Sequence, residues 1–176
     1  MPRPVTRWIW LLTGIAWGSR ALIGLAQPQY TDPVTLLDWA AVWSYSLAWL
    51  LLAPAVVLLA RLTSARSAIV ISLVCAGASV VAGTANGLED GLGFGQFGIP
   101  YVAGVLVAGF GLLALAAACA RAGGSRLAVL CVGLFVGILF ISFGGGLIVF
   151  GCFAAIAFAP TLFVRPMGST ALEATA

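Results

Sequence analysis

Residues 85–100 read ANGLEDGLGFGQFGIP. Glu89 and Asp90 stand side by side there, in a chain of which only 7% is charged. Adjacent carboxylates can pair with an arginine, share a proton or hold a cation. The same stretch carries G-x-G-x-x-G at Gly93, Gly95 and Gly98, a spacing with which backbone N–H groups cradle a pyrophosphate. That chemistry requires a strand before the glycines and a helix after them, within a βαβ unit. Here the glycines follow an apolar helix and two acids that repel phosphate. The nucleotide reading therefore fails. The stretch reads as a glycine-rich turn whose Phe94 and Phe97 dip into a membrane interface.

The other ionisable residues inside apolar runs are Arg20 and Asp38. A charge near the centre of a membrane helix costs about 2.5–3.5 kcal/mol on insertion scales, and such residues usually face the bundle and pair. Arg20 lies two-thirds of the way along the first apolar run. It can snorkel to the headgroups or meet a carboxylate, with Asp38 or Glu89 as the expected partner. Asn86 precedes Glu89 by three and shares its helix face. Asp38 and Tyr45, seven apart, share a stripe, and Gln96 and Tyr101 come from the adjoining turn and helix start. The pattern predicts one outer-facing polar pocket built from Arg20, Asp38, Tyr45, Asn86, Glu89 and Asp90. The alternative use of the same residues is a salt bridge that fixes helix register and takes no ligand.

Other chemistries are poorly served. The chain has no His and no Lys, so no nucleophile–base pair can be assembled, and a membrane enzyme without metal, using the carboxylates for acid–base work, ranks last among the readings. Haem held through His and most zinc sites are excluded, and no metal or cofactor is expected. The four Cys (Cys75, Cys119, Cys131, Cys152) form no C-x-x-C and fall in apolar runs, where thiols serve as small packing residues. The net charge of +3 is spread along the chain, which argues against nucleic-acid binding.

These residues need a scaffold, and composition says which. The 176 residues are 62% hydrophobic with mean hydropathy +1.16, against about half apolar and a quarter charged in soluble domains. The expectation is an all-α polytopic membrane bundle forming a single domain over residues 1–166. Six spans can be drawn, at about 8–26, 34–60, 67–88, 98–120, 127–143 and 146–164. The last two divide one apolar stretch that as a single helix would run ~57 Å across a hydrocarbon core of ~30 Å. The run "SFGGGL" at 142–147 supplies the break. Five spans, or a re-entrant final hairpin, are the alternatives. Asp32 is expected to cap the second helix with Pro33 at its first position. Pro100 falls in the first turn of the fourth, and Pro54 lies inside the second. Residues 167–176 form a short polar tail.

Charge orients the chain. With six spans and a cytoplasmic start, seven of the eight Arg lie inside, all but Arg20, while Asp32, Glu89 and Asp90 lie outside. This is the positive-inside pattern. Arg20 also interrupts any signal-peptide core, so the first helix reads as an uncleaved anchor. The turns "RLTSAR" and "RAGGSR" begin sixty residues apart, but their flanking helices do not match, and no repeat is inferred. Arg without Lys, with abundant Ala and Gly, fits a GC-rich bacterial genome and placement in the inner (cytoplasmic) membrane.

Packing signals are plentiful. G-x-x-x-G occurs at Gly14/Gly18, Gly83/Gly87 and Gly133/Gly137, and suits close helix contacts within the bundle, or between copies. All six Trp lie between Trp8 and Trp49. Four fit the aromatic belts, and Trp17 and Trp49 sit deeper, as packing residues. The expected function is binding or transport of a small solute or proton through the outer pocket. The alternative is a non-catalytic structural or assembly subunit of a larger membrane complex. The bilayer is the expected partner, with a second copy or other membrane proteins beside it.

Overall fold

The computed structural model describes residues 4–26, 33–63 and 65–163. Among the described residues the chain forms six α-helices and no strand: α1 (Pro4–Ala26), α2 (Leu36–Ala60), α3 (Arg66–Asn86), α4 (Gly98–Arg121), α5 (Ser125–Leu139) and α6 (Gly146–Phe158). A π-helical turn, Gly87–Gly91, continues α3, and short 3-10 turns follow at Gly95–Phe97, Ile141–Phe143 and Pro160–Leu162. Counting these extensions, four helices are long and apolar enough to cross a membrane: Pro4–Ala26, Leu36–Ala60, Arg66–Gly91 and Gly95–Arg121. The last two are shorter, 15 and 13 residues.

Each helix packs on its neighbours in sequence, and α6 returns to α1, closing a ring. The starts of α2, α4 and α6 and the ends of α1, α3 and α5 share one end of the bundle, which carries Asp38, Glu89 and Asp90. The opposite end carries Arg7, Arg61, Arg66, Arg121 and Arg126. One apolar core fills the ring, with Trp10, Trp17, Trp49, Leu52, Leu112, Leu134 and Phe153 fully buried.

Glycine brings the backbones together. A Cβ on Gly14 would meet Phe153 and Phe150 of α6, and one on Gly83 would lie 2.8 Å from the Ser46 carbonyl of α2. Gly133 and Gly137 face Cys152 and Val149 of α6. All three G-x-x-x-G pairs are thus used within the chain. Gly104 of α4 lies against the backbone of α3, where a Cβ would sit 2.8 Å from Ala82 N and 2.9 Å from Ala78 O.

Several element boundaries differ from the expected ones. Helix α2 begins at Leu36, with Thr35 as N-cap. Pro33 therefore precedes the helix and does not open it, and Asp32 lies outside the described residues. A capping box explains the shift: Asp38 N–H donates to Thr35 Oγ1, and Thr35 N–H donates to Asp38 Oδ2 at 2.8 Å. Helices α5 and α6 end before residues 143 and 164 and continue only as 3-10 turns. The break between them is where the three glycines put it. Gly144 adopts φ +85, in the left-handed region. Cβ atoms on Gly145 and Gly146 would collide with the backbone carbonyls of Gly137 and Trp17.

Pro54 sits inside α2 and has no N–H to give the Leu50 carbonyl. Donors from α1 arrive at the neighbouring carbonyls. Thr13 Oγ1 reaches Leu51 O at 3.1 Å, shared with Ile9 O, and Trp10 Nε1 reaches Ala55 O at 3.4 Å. All four thiols are free, three of them buried.

Candidate functional site

The six residues expected to form one pocket occupy three different settings at the acidic end. Asp38 is buried at the start of α2, and its Oδ2 accepts from Val34 N, Thr35 N and Thr35 Oγ1 at 2.8–3.2 Å. It satisfies the N–H groups that a helix start leaves open. Asn86 is buried between α3 and α2, where its Nδ2 donates to Ser46 Oγ at 3.0 Å. That bond is an interhelical fastener of the kind membrane bundles use.

Glu89 rides on the π-helical turn, which carries it over the start of α4. A Cβ on Gly98 would lie 2.6 Å from Glu89 Oε1. The α4 N-cap, Phe97, supplies no side-chain bond to the helix, so the carboxylate faces the positive end of that helix dipole directly. Glu89→Gln and Gly98→Ala should each cost about 0.3–1 kcal/mol of stability by weakening this contact. The double variant should cost little more than either alone, as chemical denaturation in detergent would show. Full additivity would mean that the two residues do not act together.

Arg20, Tyr45 and Asp90 remain, and the structure adds Tyr101, Trp17 and Trp49. The Arg20 guanidinium lies back over Gly24, toward the acidic end. Its Cζ stands 5.3 Å from the centre of the Tyr45 ring, a cation–π contact worth about 2 kcal/mol where water is excluded. Tyr101 Oη donates to Tyr45 Oη at 3.0 Å, joining α4 to α2. Asp90 stands on the same π-helical turn as Glu89, half-buried. Below Tyr45 the rings continue inward. Trp17 lies 5.9 Å from Tyr45 and 5.2 Å from Trp49, all edge to face. The result is a column of aromatic rings, half-buried at its Arg20–Tyr45–Tyr101 mouth and fully buried at its Trp17–Trp49 floor.

Sequence spacing held part of this. Tyr45 and Trp49 are four apart on α2, and Trp17 and Arg20 three apart on α1, so each pair shares a helix face. What spacing does not encode is that those two faces meet each other. Among the described residues, no group of three Cys, Asp and Glu converges as metal ligands. Comparison with protein families, curated proteins and solved structures finds no match for the chain.

Proposed function

We propose that this chain is a multi-pass protein of the bacterial cytoplasmic membrane. It crosses six times, with the arginine end cytoplasmic, and binds or passes a small polar solute at a pocket opening on the outer face. The distribution of Arg supports that orientation, because Arg66 and Arg126 lie at helix starts, where the dipole disfavours them. The α5–α6 pair supports six crossings, although the two helices are only ~22 and ~20 Å long. Arg7 Nε donates to Ala157 O at 2.9 Å, and a Cβ on Gly144 would touch Leu25 in the last turn of α1. The hairpin therefore runs beside almost the whole of α1, which is itself long enough to span.

One observation carries the binding reading: the Arg20 cation is turned onto Tyr45, next to the Tyr45–Tyr101 hydroxyl pair, at a half-buried mouth between helices. Native mass spectrometry of the protein in a mild detergent, from membranes at natural expression level, tests it. A small bound mass that disappears in Tyr45→Phe is the expected result. A bare chain, with or without copurifying proteins, overturns it.

A second reading, a structural or assembly subunit, draws support from the employment of Asp38, Asn86 and Glu89 in holding helices. Stoichiometric copurification of other chains, with no small mass, is its expected result in the same experiment.

A further inference from the structure

Two donors at the inner end of the aromatic column lack an acceptor. Trp17 Nε1 and Trp49 Nε1 are both buried without a hydrogen-bond partner, in side chains that are 0% exposed. Buried polar groups are nearly always paired, and an orphan in an apolar interior is costly. Trp10, two turns further in, does find a carbonyl, that of Ala55. The two orphans also belong to rings in mutual contact, 5.2 Å apart, so they are neighbours and not separate accidents. Tyr45 touches both rings. Its hydroxyl accepts from Tyr101, which leaves its own proton to donate. Arg20 adds a positive charge above the same ring.

We infer that the Trp17–Trp49 floor, beneath Tyr45 and Arg20, binds a small inorganic anion of halide size. The inference rests on the outer-pocket reading above and names its ligand class. Indole N–H, phenol O–H and guanidinium all donate, and a monatomic anion accepts from several directions at once. The nearby acids do not compete for the floor. Asp38 and Glu89 face the starts of α2 and α4. Asp90 stands on the π-helical turn that continues α3. Arg20, Tyr45 and Tyr101 are half-buried at the outer end of the column.

The competing account is that each indole N–H points into a neighbouring ring, since Trp17 and Trp49 meet at 73°. Indole proton–nitrogen NMR of the full chain in chloride-free detergent separates the two. Chloride is titrated against gluconate at constant ionic strength, with Trp17 and Trp49 assigned by their Phe variants. Saturable downfield shifts of these two indole protons, with the other four Trp unmoved, are the expected result. Apparent affinity should fall about tenfold or more in Tyr45→Phe, the equivalent of one hydrogen bond to a charged group. It should fall further in Arg20→Gln if that variant folds. Upfield, chloride-insensitive resonances would mean that the rings satisfy the N–H groups, and would overturn the inference. So would uniform drift of all six signals, or exchange with bound water without a chloride response. A small mass lost in Tyr45→Phe together with an absent chloride response would defeat the anion class and leave the pocket standing. No mass and no response would defeat both.

Discussion

Gly146→Ala should remove most of the folded protein. The added methyl would overlap the Trp17 carbonyl of α1 and press within 2.9 Å of the Ala21 side chain. A backbone carbonyl cannot rotate away as a flexible side chain can. Overpacking of a close-packed interior costs about 1–3 kcal/mol, occasionally more, and this site belongs at the upper end. Gly104→Ala should behave alike, because its methyl would meet the backbone of α3 at both Ala82 N and Ala78 O. Gly151→Ala is the control. It lies in α6 with nothing within 4 Å of its added Cβ, and should be neutral or gain from the better helix former, by about 1 kcal/mol at most. Folded yield by size exclusion and the denaturation midpoint in detergent measure all three. Equal loss at Gly146 and Gly151 would show that the close α1–α6 contact does not set the cost.

The start of α2 should be the next most sensitive point. Thr35→Ala removes the N-cap acceptor and should cost about 1 kcal/mol. Asp38→Ala should also destabilise, since three donors at the helix start lose their shared acceptor. Asp38→Asn should be much milder, because an amide oxygen still accepts from Thr35 N. That order distinguishes a cap from a counter-ion. If Asp38 served chiefly to neutralise Arg20, Asn would be as damaging as Ala. Thermal midpoints of the three variants in one detergent decide between these roles.

Helix number and the location of breaks were legible in the sequence because long apolar runs, glycine triplets and arginine turns are local signals. The start of α2 is ambiguous for a local reason too. Asp32-Pro33 and Thr35-x-x-Asp38 both resemble helix starts, and the second allows two reciprocal bonds where the first allows one. The pocket was legible as a set of residue types and not as an arrangement. Depth along each helix placed Arg20, Asp38 and Glu89 at one end of the bundle. Depth says nothing of rotation about the helix axis, and rotation separates Glu89 over Gly98 from Arg20 over Tyr45. The π-helical turn adds to this, since its wider winding shifts the facing of Glu89 and Asp90 away from the one that a regular α3 would give. Trp17 and Trp49 pack as their depth in the helices predicts. Their unpaired N–H groups belong to three-dimensional surroundings that no spacing records.

The closed ring has a consequence for biogenesis. Every helix but one can dock on the helix made just before it, so the chain can assemble in order as it emerges. The seam between α1 and α6 is the exception. Gly14 and Gly18 on the first helix wait for Phe150 and Phe153 on the last, across most of the chain. Until α6 arrives, α1 presents an open notched face to the bilayer. In a crowded membrane the last helix of one molecule can fill the notch of another, and the product is a domain-swapped dimer. Expression level and synthesis rate would then govern how much of the protein closes on itself.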